Sequence, residues 1–159
     1  MIRVQDLWKT FGTQPVLRGV NLEVATAEIM VVIGRSGGGK SVLLRHMIGL
    51  VRPDSGKILV DGTDITRMRR SALDPIRSNF GVVFQGGALF DSMSVFDNVA
   101  FPLREKSRLG AAQVRERVEE KLEQVGLSGM AEKNPAEISG GMRKRVAIAR
   151  ATPSAPCPQ

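Results

Sequence analysis

Ile29-Met30-Val31-Val32-Ile33-Gly34-Arg35-Ser36-Gly37-Gly38-Gly39-Lys40-Ser41 is the stretch on which the fold turns. Its first five residues are apolar and mostly β-branched. A run of that length and kind predicts a strand buried on both faces, as in a parallel α/β sheet. The next eight residues match G-x-x-x-x-G-K-[ST]. Glycines let successive backbone N–H groups curl around phosphate oxygens, where a Cβ would intrude. Ser41 to Leu50 then places Leu43, Leu44, Met47 and Ile48 on one side, which predicts a helix. The positive N-terminal end of that helix adds to the anion site. A strand before and a helix after is the context the motif requires, as opposed to a glycine turn that merely ends in Lys-Ser.

The ligand this implies is a nucleoside triphosphate with Mg²⁺. Gly34, Ser36, Gly37, Gly38 and Gly39 would form the cradle, Lys40 would reach the β- and γ-phosphates, and the Ser41 hydroxyl would ligate the metal. The motif is silent on the reaction, since GTPases, kinases and transport ATPases share it. No N-K-x-D segment for reading guanine is present. A small kinase with a second substrate pocket stays open.

Working outward, the 159 residues fit one domain. With 42% apolar and 25% charged residues the chain has the composition of a soluble globular protein. No apolar run reaches the length of a bilayer span, and the opening MIRVQDLWKT lacks the apolar region of a secretion signal. The single cysteine, Cys157, excludes an internal disulfide and a cysteine zinc site, which fits a reducing cytoplasm. The net charge of +7 admits a nucleic acid, an anionic membrane face or a phosphorylated ligand. Aromatics at 4% give no stacking pattern for nucleic acid, so Arg67, Arg69 and Arg70 read as solvated surface or as lying near a membrane partner.

Along the chain, Ile2 to Gln5 and Val20 to Val24 alternate as strands, with a turn at Phe11-Gly12. Ile58-Leu59-Val60 reads as a strand closed by a hairpin turn at Asp61-Gly62. Ser71 to Arg77 reads as a short helix interrupted by Pro75, and Phe80 to Phe84 as a second apolar strand ending at Gln85. Ala111 to Val125 is a helix with Val114, Val118, Leu122 and Val125 in one stripe, stopped by Gly126. Ser139-Gly140-Gly141 precedes a last helix from Met142 to Ala151. His46 reads as a solvated or partly buried residue of the first helix. Residues 152–159, TPSAPCPQ, hold three of the eight prolines and no charge.

A phosphate loop, Gln85 at the end of an apolar run, and Ser139-Gly140-Gly141 followed by Arg-Val-Ala-Ile-Ala-Arg together resemble the ATP-binding cassette (ABC) family over residues 2 to about 151. The resemblance implies an α/β phosphate-loop core with an antiparallel accessory sheet and a helical signature subdomain. It implies that Ser139, Gly140 and Gly141 cap the γ-phosphate of ATP held by a second copy. The physical basis is a small-residue turn at a helix N-terminus, which offers N–H donors and a hydroxyl to an anion. It further implies that Gln85 touches Mg²⁺ or its water, and that Phe11 stacks on adenine. The segments Phe84 to Met93 and Val95 to Glu105, with methionine after the signature glycines at Met142, are similar to the ATPases of Mla-type phospholipid transporters, which work with lipid-binding Mce proteins. Arg35 stands where many cassettes have proline. The partners so implied are ATP, a second cassette, a membrane permease and an Mce-type protein, with no nucleic acid. The implied location is the cytoplasmic face of the inner membrane.

The family's hydrolysis also needs an apolar strand ending in Asp-Glu after the signature helix, and a later histidine. The sequence shows neither, and Asp61, followed by Gly62, precedes the signature. Residues 1–151 are therefore expected to be a partial cassette, incomplete at its C-terminus, with 152–159 foreign to it through early termination or a frameshift; a natural short end is the alternative. Either an ATPase subunit or an ATP-binding remnant without turnover would result. An unpaired sheet edge is expected to leave the chain poorly soluble or marginally stable.

Overall fold

The computed structural model describes residues 1–106 and 109–152. The remainder of the 152–159 tail, Cys157 included, lies outside the described residues. The chain divides into two compact units, one running from Met1 to Arg77 and one beginning at Ser78.

The first unit is built on an antiparallel sheet. Strands β1 (Ile2–Phe11), β2 (Gln14–Val24), β3 (Ser55–Val60) and β4 (Thr63–Asp64) lie in the order β2-β1-β3-β4. β1 pairs with β2 through a hairpin in which Phe11 faces Gln14, and with β3 from Ile2–Val60 to Trp8–Ser55. Val4, Leu7, Leu17, Ile58 and Val60 are buried. Ile58 and Val60 keep the period of two, and a register shift between Val4 and Leu7, with Asp6 at φ +44°, lets both of those be buried although they are three residues apart. Helix α1 (Lys40–Met47) buries Leu43, His46 and Met47. Helix α2 (Arg70–Arg77) buries Leu73 and carries Pro75 inside it rather than breaking there. The Arg77 guanidinium bonds the Ile48 and Gly49 carbonyls just past α1.

The second unit is helical. α3 (Val95–Lys106), α4 (Ala111–Gln124) and α5 (Gly140–Ala151) pack around Val99, Leu103, Val118, Leu122 and Val146. A 3₁₀ turn, Pro135–Glu137, leads into α5. Arg145 donates to the Val125 and Gly126 carbonyls at the end of α4. Lys121 of α4 donates to the Ala149 and Thr152 carbonyls at the end of α5, and burial pushes its ammonium below the ordinary lysine range. Each helix thus satisfies the other's orphan carbonyls.

Several local expectations need correcting. Ile29–Ile33 and Phe80–Phe84 form no strand, and neither is buried. Ile29 is 92% and Ile33 89% exposed, and Val83 and Phe84 are about half exposed. A doubly buried strand exists only when neighbours pair both its edges and helices cover both faces. Among the described residues no strand pairs with either run. His46 is fully buried rather than solvated or partly buried, with Nδ1 2.7 Å from the Val42 carbonyl and Nε2 without a partner among the described residues. α5 begins at Gly140, two residues before the expected start. α3 is an element the sequence reading did not assign.

Candidate nucleotide site

The glycine loop lies in the first unit, with the helix the motif calls for after it but, among the described residues, no strand directly before it. Ser36 and Gly37 turn, the Gly38 amide donates to the Arg35 carbonyl at 3.1 Å, and α1 begins at Lys40. Gly39 is the N-cap, at φ +86°. A side chain would be strained there, because a Cβ would lie 3.1 Å from both Cγ1 and the carbonyl oxygen of Val16, in a conformation that favours glycine. This contact seats the loop against the start of β2. No side chain caps α1 and no acid stands in its first turn, so its N-terminal dipole is not neutralised locally.

The Lys40 ammonium donates to the carbonyls of Gly34 (2.8 Å) and Arg35 (2.7 Å), at the start of the loop. An ammonium has three donors, so one N–H remains for a further acceptor. Ser41 follows in the first turn of α1, exposed. Glycine backbone, a helix N-terminus, one ammonium and one hydroxyl form a donor set that fits a polyphosphate with a hard cation.

Phe11 ends β1 at the hairpin tip, 47% exposed. The Lys9 ammonium lies 5.4 Å from its ring centroid and 2.7 Å from Asp54 Oδ1. The Thr10 amide also donates to Asp54 at 2.7 Å. The Lys9 ammonium first, and then the Thr10 amide, hold the Asp54 carboxyl below the usual range. The sequence reading missed Lys9; its two-residue spacing from Phe11 on a strand, which places both on one face, was the available signal.

In the second unit, Ser139 is the N-cap of α5, and its Oγ accepts from the Met142 amide at 3.2 Å. The hydroxyl proton stays available to donate. Ser139, Gly140 and Gly141 are all exposed. The approach to this cap is also braced. Glu137 accepts from the Asn134 amide (2.7 Å) and side chain (3.0 Å), which lowers the Glu137 pKa. Arg143 donates to the Ile138 and Pro135 carbonyls. Gln85 opens an exposed turn, Gln85-Gly86. Phe11 and the loop Gly34–Ser41 thus belong to the first unit, and Gln85 and Ser139–Gly141 to the second.

The antiparallel sheet, the glycine loop leading into α1 and the helical unit ending in a Ser-Gly-Gly-capped helix define an α/β protein of the phosphate-loop type. Residues 17–157 match the family described as ABC transporter, and the chain belongs to that family. The chain is 51% identical over 150 residues to a probable ribonucleotide transport ATP-binding protein of Mycobacterium leprae, covering 94% of this chain and 43% of that protein. It is 44% identical over 151 residues to the intermembrane phospholipid transport system ATP-binding protein MlaF of Escherichia coli, covering 95% and 56%. The chain thus spans about half the length of these relatives. Among solved structures, the dimeric bacterial ABC transporter cassette MJ0796 matches with a TM-score of 0.86 and 33% identity, over 95% of this chain and 68% of that one. A second structure of that cassette, in a post-hydrolysis state bound to ADP and Pi, matches with a TM-score of 0.85 and 31% identity.

Proposed function

We propose that this chain is the ATP-binding part of an ABC transporter subunit serving phospholipid transport in the cell envelope. The observation that carries the reading is the loop Gly34–Ser41, with Lys40 at the uncapped N-terminus of α1. In it the backbone amides of Gly37 to Ser41 would hold the phosphates of ATP, Lys40 would neutralise the β- and γ-phosphates, and the Ser41 hydroxyl would ligate Mg²⁺; Gln85 is read as a further group that would reach the metal or its water. Mg²⁺ held there would supply positive charge against the charge that develops on the phosphates. Phe11 stacks on the base. Ser139, Gly140 and Gly141 present a hydroxyl and helix-end amides to the γ-phosphate held by a second copy, so closure of two copies requires two nucleotides. The bound pair works on a membrane permease and an Mce-type lipid-binding partner, with the cassettes on the cytoplasmic face of the inner membrane.

Relatives carry names for different cargoes: ribonucleotide, phospholipid and, for a protein of Mesorhizobium japonicum at 44% identity, methionine import. Phospholipid is preferred for the Mla-like run Phe84 to Glu105 and for Met142 after the signature glycines. Among the described residues no helix is long and apolar enough to cross a membrane. A second reading, ATP binding without turnover, is confined to residues 1–159 by themselves, within which no apolar run ends in Asp-Glu.

ATP binding and phosphate release are measured side by side for this chain and for one extended past Ala151. Binding by both with release only by the extended chain supports the first reading for the whole subunit and the second for residues 1–159. No ATP binding by either sinks both.

A further inference from the structure

The chain around Gln85 follows an unusual path. Gly86, Gly87 and Ala88 have φ of +77°, +85° and +44°. Two glycines tolerate this, but Ala88 carries a side chain in a region that L residues rarely occupy, so something outside the turn must hold it there. Two anchors are visible. Downstream, the buried Asn98 side chain accepts from the Phe90 amide (2.8 Å) and donates to the Phe90, Met93 and Ser94 carbonyls. Upstream, the turn sits on α5. A Cβ at Gly87 would lie 3.3 Å from the Ala147 Cβ and 3.4 Å from the Arg143 carbonyl. The Arg150 guanidinium then forks across the turn, with Nη2 donating to the Gly87 carbonyl at 2.7 Å and Nη1 to the Ala88 carbonyl at 2.8 Å. Its Cζ lies 5.7 Å from the centre of the Phe90 ring. Among the described residues Arg150 forms no ion pair.

A partly buried cation held only by carbonyls and a ring face loses hydration without gaining a counter-charge. Its contribution is therefore geometric. A planar fork fixes two carbonyls at a set spacing in one plane, whereas a lysine ammonium, which can also reach two carbonyls, rotates freely and sets their geometry less tightly.

We propose that Arg150 is a positioning residue for Gln85. It does not touch nucleotide; it holds the Gly87–Ala88 backbone on α5 and so sets the direction in which the Gln85 amide is presented. This rests on the reading of Gln85 as a group that reaches Mg²⁺. The same helix carries Ser139 at its other end, eleven residues away, or about 16 Å along a helix of 1.5 Å rise. One rigid element thus orients both the signature turn and the Gln85 turn.

Amide hydrogen exchange of the whole chain without nucleotide tests the holding role. Arg150→Lys is expected to accelerate exchange at Gly87, Ala88 and Leu89 about tenfold, the effect of one charge-assisted hydrogen bond, and to leave α1 unchanged. Unchanged loop exchange in a folded Arg150→Lys chain overturns the proposal. A measurement on the unsubstituted chain guards against loss of the fold in the variant. Separate, slowly exchanging Arg150 Nη resonances are expected for a seated fork, and a single averaged signal overturns it. The Mg²⁺ dependence of ATP binding reads the link to Gln85. Gln85→Ala and Arg150→Lys should both raise the Mg²⁺ concentration needed for half-maximal binding, and a merely structural arginine would not move it. Accelerated loop exchange with the Mg²⁺ dependence unmoved in both variants supports the holding of the turn and removes the Gln85 reading instead.

Discussion

Lys40 and Phe11 differ in how far their surroundings could be read from the chain. The bonds of Lys40 are local, because its two carbonyl acceptors come from residues five and six positions earlier. Lys40→Ala removes at least one charge-assisted bond to phosphate, worth about 1.5–3 kcal/mol. ATP affinity should fall roughly 10- to 100-fold in a fluorescent-nucleotide titration, with the far-UV circular dichroism unchanged. Phe11→Ala should weaken ATP by about 1–3 kcal/mol, the range of base–aromatic stacking, while pyrophosphate binding is unaffected. Equal losses for ATP and pyrophosphate would remove Phe11 from the base site. Asp54 was not legible as a partner, since its contacts to Lys9 and Thr10 span more than forty residues. Its carboxyl is held below the usual range, so it favours the folded state above the unfolded pKa of about 4. That contribution is lost as pH falls through the lowered folded value. Asp54→Asn should therefore lower stability at pH 6 while narrowing the difference from the parent chain below pH 3, as followed by urea unfolding at each pH.

Helices were easier to foresee than strands, for a physical reason. α4 shows its stripe of Val114, Val118 and Leu122 in sequence because helical hydrogen bonds close within four residues. α3 had a local start signal that was overlooked. Ser94 and Asp97 cap one another, with the Asp97 amide donating to Ser94 Oγ at 3.0 Å and the Ser94 hydroxyl to Asp97 Oδ2 at 3.0 Å. Ser139 plays a similar part for α5. Ser139→Ala should cost about 1 kcal/mol of stability in the helical unit through the lost cap. Ser139→Asp should restore that stability, because aspartate caps well, yet weaken any contact with a γ-phosphate through like charge. Thermal unfolding and nucleotide-dependent dimerisation, measured on both variants, separate the cap from the phosphate contact. The apolar runs Ile29–Ile33 and Phe80–Phe84 misled because a strand's bonds lie with other strands, and no periodicity within five residues reports whether those are present.

The two units carry different parts of the proposed chemistry, with the loop Gly34–Ser41 in one and the Ser139 and Gln85 turns in the other. The exposed run Ile29–Ile33 is apolar and β-branched at most positions, a segment of the kind that recruits other chains. Concentrated protein should aggregate and bind a hydrophobic dye, and Ile29→Lys with Ile33→Glu should reduce both without shifting the urea midpoint. A monodisperse parent chain that excludes the dye would show that the run is covered. The family, the phosphate loop and the helical stripe follow from the sequence alone, because each rests on contacts within a few residues or on spacing along the chain. Only the tertiary structure decided that His46 is buried, that Lys9 lies over Phe11, that Arg150 holds the Gln85 turn, and that Ile29–Ile33 lies exposed. Each of these depends on which distant segments meet, and burial and hydrogen bonding between distant segments leave no mark in local pattern.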